Sequence, residues 1–164
     1  MTMLTLDSPR WRELAQAHGS AEDIPRLLEA LQALSATADI GVRAELWYGI
    51  WATLCPDGRL YDAAYAAVPH LLAMTRELAA DERVAAAHVA AEVESLRHVA
   101  GAPSIPDDLV PAYAAAIESL PSVVAELSAG PWDAATAKIL AAALLAGKRQ
   151  PTLAKTILAL GLSS

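Results

Sequence analysis

Phenylalanine is missing from this chain altogether, and cysteine occurs once, at Cys55. A lone thiol has no intramolecular disulfide partner, so no covalent framework is expected and no oxidising compartment is indicated. Aromatic residues amount to 5%, four Trp and four Tyr. Basic groups are also short: 12 Lys and Arg stand against 19 Asp and Glu, for a net charge of −7. Nucleic acids and anionic membrane surfaces require clustered Lys and Arg, so neither is an expected partner. Long apolar runs are absent as well. The longest near the end, Ile139–Gly147, falls far short of the ~20 residues of a membrane span. The opening residues MTMLTLDSPRWREL hold no apolar stretch behind a basic start. No signal peptide is therefore expected, and the expected location is cytoplasmic.

What is abundant is alanine. The 164 residues include 38 Ala and 24 Leu and are 55% hydrophobic, enough for one domain over 1–164 with a sizeable core. Ala loses no side-chain entropy in a helix and lets neighbouring helices approach closely. A mean hydropathy of +0.33 implies either very complete burial or an apolar face kept for a partner. Charge is uneven: residues 1–82 carry six basic and twelve acidic groups, whereas Lys138, Lys148, Arg149 and Lys155 follow Asp133 with no acid among them.

Gly and Pro punctuate a chain that otherwise reads as helix throughout. Ser8-Pro9 and His18-Gly19 bound a first short helix, and Ser20 or Asp23 caps a second through Ile24, Leu27, Leu28, Leu31 and Leu34. Asp39 opens a third through Leu54, Pro56-Asp57-Gly58 is turn chemistry, and further helices span about Leu60–Ala79 and Asp81–Ala100. Past the linker Ala102–Pro106, Asp107 caps a helix to Leu120, and Pro121 starts or kinks the next. Two more end at Gly147 and Gly161. No segment alternates well enough to be a strand. The expectation is all-α, with about nine helices joined by short loops as antiparallel hairpins stacked into an α-α superhelix.

Five of the eight aromatics (Trp47, Tyr48, Trp51, Tyr61 and Tyr65) fall on the hairpin around Gly58. Tyr61, Tyr65, Val68 and Leu72 share one helix face, and Pro69 inside that helix predicts a kink. The string Gly58-Arg-Leu-Tyr-Asp-Ala-Ala-Tyr-Ala-Ala-Val-Pro-His-Leu-Leu72 resembles a signature of uncharacterised bacterial HEAT-like (armadillo-type) repeat proteins. The matching positions are Trp47 or Trp51, Gly58, Tyr61, Ala67, Val68, Pro69 and Leu71; the departures are Pro56-Asp57, where that family tends to carry His-Gln, and His70, where an aromatic is common. The resemblance covers about a fifth of the chain. It implies an α-α superhelix and no established activity.

Candidate chemistry is sparse. Cys55 with His70 and Asp57 is the one nucleophile set, but a helix C-terminus disfavours thiolate. His88/Glu92 and Glu94/His98 are i, i+4 pairs of the kind that share a metal, or simply exposed helix pairs. Asp107 and Asp108 are explained by capping. No phosphate loop, serine triad or zinc spacing occurs, and no cofactor is expected. Trp47, Trp51 and Tyr65 are expected in the core; Tyr48, Asp57, Arg59, Tyr61, Asp62 and His70 are the expected binding residues. The leading expectation is a non-catalytic module that binds a protein partner or a second copy, as a homodimer. The alternatives are a small-molecule or metal-dependent enzyme centred on His70 or His88/Glu92, and a structural homo-oligomer.

Overall fold

The computed structural model describes residues 2–34 and 39–161. Helix accounts for 68% of the chain against 3% strand, so it is all-α. A 3-10 turn, Pro9–Glu13, leads into a two-residue hairpin of β1 (Ala15–Gln16) and β2 (Gly19–Ser20). Then come α1 (Ile24–Ala33), α2 (Ile40–Leu54), α3 (Ala63–Ala73), α4 (Ala80–Leu96), α5 (Val110–Glu126), α6 (Ala134–Gly147) and α7 (Pro151–Leu158). Among the described residues there are seven α-helices rather than about nine, and none is long and apolar enough to cross a membrane.

The first discrepancy lies at the N-terminus. Ser8 does cap, its Oγ accepting from the Arg10 N–H at 3.2 Å, but the chain leaves helical geometry after Glu13. Tertiary bonds take the amides that a helix would use. The Ala15 N–H goes to Asp62 Oδ1 at 2.6 Å and the Ala17 N–H to the Thr53 carbonyl at 3.0 Å. With Gly19 at φ 131°, open only to glycine, the segment turns back as an antiparallel pair, Ala15 opposite Ser20 and Gln16 opposite Gly19. The sequence showed no strand because two residues are too few to alternate.

The second discrepancy is at Pro121, which neither ends nor begins a helix: α5 runs through it to Glu126. Proline offers no N–H to the carbonyl of Ile117, and its ring needs room on that side. Gly147 of α6 supplies the room. A Cβ on Gly147 would stand 2.5 Å from Pro121 Cδ and 3.1 Å from the Ile117 oxygen. Capping also differs in part from expectation. Asp39 caps α2 through Gly41 N (2.6 Å), while Asp23 makes no side-chain cap bond and Asp107 sits upstream of the α5 cap, Leu109. Asp133 caps α6 through Thr136 N (2.7 Å).

Small side chains set the packing. Nearly all of α3 is buried, including Ala63, Ala64, Ala66 and Ala67. α4, which it meets, carries buried Ala86, Ala87, Ala90 and Ala91, and α6, which packs on α4 and α5, carries buried Ala142, Ala143 and Ala146. α3 lies on α4 and α5, α4 on α6 and α7, and α5 on α6; α1 packs on α2 and touches α3. Tyr65 is buried as expected, whereas Trp47 and Trp51 are half-buried against the core. The best-buried tryptophan is Trp11, whose Nε1 donates to the Thr5 carbonyl at 2.9 Å. Replacing Gly147 with Ala should lower stability by about 1–3 kcal/mol, because both of its close neighbours belong to the body of α5; urea unfolding of the two proteins measures it.

Candidate functional site

The turn between α2 and α3 places the expected binding residues. Asp57 (φ 51°) and Gly58 (φ 73°) are consecutive left-handed residues that reverse the chain after Pro56. The reversal is closed by Arg59 N–H to Pro56 O (2.9 Å) and Tyr61 N–H to Leu54 O (3.2 Å). Arg59 and Tyr61 line a cleft of about 360 Å³ with Leu96 and residues 99–102 at the end of α4. Asp57 is exposed and does not line that cleft. Asp62 is committed to the Ala15 amide, and Tyr48 stands three-quarters exposed on α2. His70 is half-buried beneath the N-terminal segment, its Nε2 2.7 Å from the Leu4 carbonyl and its ring 6.2 Å from that of Trp11. A carbonyl can only accept, so Nε2 carries the proton. The six residues thus occupy several places, and only Arg59 and Tyr61 share a cleft.

The other candidates fare differently. Cys55 is buried, and burial, aided by the Glu92 charge, pushes its thiol up to about 12. It is a thiol, not a thiolate, at neutral pH, which removes it as a nucleophile. His88 packs against Trp51 with ring centroids 4.7 Å apart. Burial, reinforced by the Lys138 charge, pushes its imidazole down to about 4. Burial raises the Glu92 carboxyl, with Lys155 acting in the opposite sense. Among the described residues no three His, Cys, Asp or Glu side chains converge as a metal set.

The densest polar cluster lies instead at the end of α4. Glu94 is 5% exposed and accepts from Arg97 Nε (2.9 Å), Arg97 Nη2 (2.7 Å) and Tyr113 OH (2.9 Å), with His98 Nε2 at 3.2 Å. Burial pushes its carboxyl up, but the Arg97 hydrogen bonds and charge, with Tyr113 and His98, outweigh that and hold it below the usual glutamate range. Tyr113 in turn meets Tyr65 edge-on at 5.0 Å, and Tyr65 OH donates to the Pro103 carbonyl at 2.6 Å. Burial raises the Tyr65 phenol to about 12, against the Arg97 charge and with that of Glu94, and burial with the Glu94 charge also raises the Tyr113 phenol. Both stay protonated donors. Glu94, Arg97, His98 and Tyr113 form one wall of a cavity of about 490 Å³ bounded by α5, α6 and the start of α7. The Glu94/His98 spacing was visible in the sequence. Tyr113 was not, because it stands 19 residues from Glu94 across a proline-rich loop.

With this geometry in hand, comparison with known proteins adds nothing to it: no family model, curated protein or solved structure matches the chain.

Titration of His88 gives a testable consequence. Its unfolded value is 6.5 and its folded value about 4, so protonation favours the unfolded chain between those limits. Stability should fall as pH drops through that window, by up to about 3 kcal/mol. The raised carboxyl of Glu92 acts in the opposite sense at the acid end. Urea unfolding of wild type and His88→Phe at pH 7, 5.5 and 4.5 isolates the histidine: the variant should lose less stability than wild type on acidification.

Proposed function

We propose that this chain is a non-catalytic helical interaction module that binds a protein through the outer face of α2. The observation that carries this reading is the mismatch between the composition of α2 and its burial. Apart from Arg43 and Glu45 its sequence, IGVRAELWYGIWATL, is largely apolar, yet only Ile50, Thr53 and Leu54 are buried. A helix of that character belongs inside a protein or against another one. Ile40 and Tyr48 are each 75% exposed and Val42 is 49% exposed, with exposed Asp39 and Glu45 beside them. A matching partner offers an apolar ridge flanked by Lys or Arg. The buried thiol and the satisfied Glu94 network support the absence of catalysis.

The same reading takes the fold as a short HEAT-like array. It is supported by α3 lying on α5 and α4 on α6, each helix meeting the second one after it as in stacked hairpins. A second copy is one partner that fits, since the segment from the end of α6 through α7 carries exposed Lys148 and Lys155 and exposed Leu153 and Leu160. The test compares immobilised wild type with Ile40→Ser/Tyr48→Ser. Captured protein is identified, purified and rebound, and self-association is followed by sedimentation over a dilution series. The variant should bind at least tenfold more weakly, about 1.4 kcal/mol, at an unchanged melting temperature, and binding to wild type should weaken with salt. Equal affinity for the two proteins would refute the assignment of α2.

A further inference from the structure

We infer that the cavity beside Glu94 binds a small amphipathic anion, a carboxylate or phosphate monoester on an aromatic or branched apolar body. Its volume of about 490 Å³ falls within the range of small-molecule pockets, which pair apolar walls with a few polar groups that fix orientation. Ile105, Val110, Ile117 and Pro151 supply the walls. The polar groups determine the sign of the ligand.

Glu94 has no acceptor capacity to spare for a cation. Oε1 takes Arg97 Nη2 and lies against His98, and Oε2 takes Arg97 Nε and Tyr113 OH. Its charge is already matched by Arg97 at 2.7 Å. Donors, by contrast, remain. The bonds to Glu94 occupy the Nε–Nη2 edge of the Arg97 guanidinium, and Nη1 has no hydrogen-bond partner among the described residues. Arg149, at the rim, is 86% exposed in its side chain and spends only Nη2, on Glu118 at 3.1 Å. A guanidinium holds five N–H donors in a planar fork suited to two oxygens of one anion. Arg97 and Arg149 balance Glu94 and Glu118 on the same lining, so what is in surplus at one side of the apolar hollow is N–H donors, and these fit an anionic head whose body lies along Val110 and Ile117. Because Arg97 is held on Glu94, its free edge is oriented before any ligand arrives.

Heteronuclear NMR of the ¹⁵N-labelled chain tests this with three probes of similar size: 4-phenylbutyrate, phenyl phosphate and 4-phenylbutylammonium. Saturable shifts at the amides of Val110, Ala114 and Gly147 are expected with one or both anions and not with the ammonium, and the stronger anion identifies the preferred head group. Arg149→Ala, at an exposed position, should weaken that binding at least fivefold without altering the melting temperature. Ala114→Trp, which fills the hollow from the surface of α5, should abolish it. The inference is overturned if neither anion shifts those amides, if the ammonium binds equally well, or if Arg149→Ala binds as wild type does.

Discussion

Close packing of the alanine-rich helix α4 against α3 on one side and α6 on another is the constraint on which the remaining structure rests. Side chains of one carbon let the helix axes come close, and close axes leave little space for water between them. Every polar group caught in such a seam must find its partner in the protein. Ser95 and Thr75 do so by bonding backward to the carbonyls of Ala91 and Leu72. Glu94, carrying a full charge, needs several donors, and Arg97 and His98 just past the end of α4 and Tyr113 on α5 surround it. The polar cluster at the end of α4 is thus a consequence of tight packing, and the cavity next to it opens where the alanine faces give out.

Glycine and proline do related work at the α5–α6 crossing. Pro121 leaves the Ile117 carbonyl without its helical donor, and Gly147 lets the second helix settle against the gap. Each residue taken singly reads as a helix breaker. Taken as a facing pair they complement one another, and α5 stays whole over 17 residues.

Much of the helical content was legible in the sequence, because Gly and Pro punctuation marks the ends of α2 and α6 within a residue or two of where they fall, and Pro151 marks the start of α7. The errors have a common physical origin. Ala15 and Ala17 have strong helical preference, but Asp62 and the Thr53 carbonyl, remote in sequence, take their amides. Pro121 does not start a helix, because Gly147, the residue that accommodates it, stands against it from 26 residues further on. The candidate site followed the same rule. Tyr48, Arg59 and Tyr61 were recognisable as residues that meet solvent or a cleft, since helix spacing and turn chemistry are local. The bond from Tyr113 to Glu94 and the position of His70 under Leu4 depend on tertiary placement that no local pattern encodes.

Attachment of α2 follows a different economy from the alanine seam. Its charged link to α4 is Arg43 to Glu82 at 3.5 Å, a pair almost hidden from water in which Arg43 Nε, Glu82 Oε1 and the nearby Trp47 Nε1 find no hydrogen-bond partner among the described residues. Desolvated and incompletely matched groups give back little of what their burial costs. The α2–α4 pair therefore holds α2 less firmly than the alanine seam holds α4 to α6, which favours local opening at α2. Its amides are expected to exchange with deuterium ahead of those of α4 and α6.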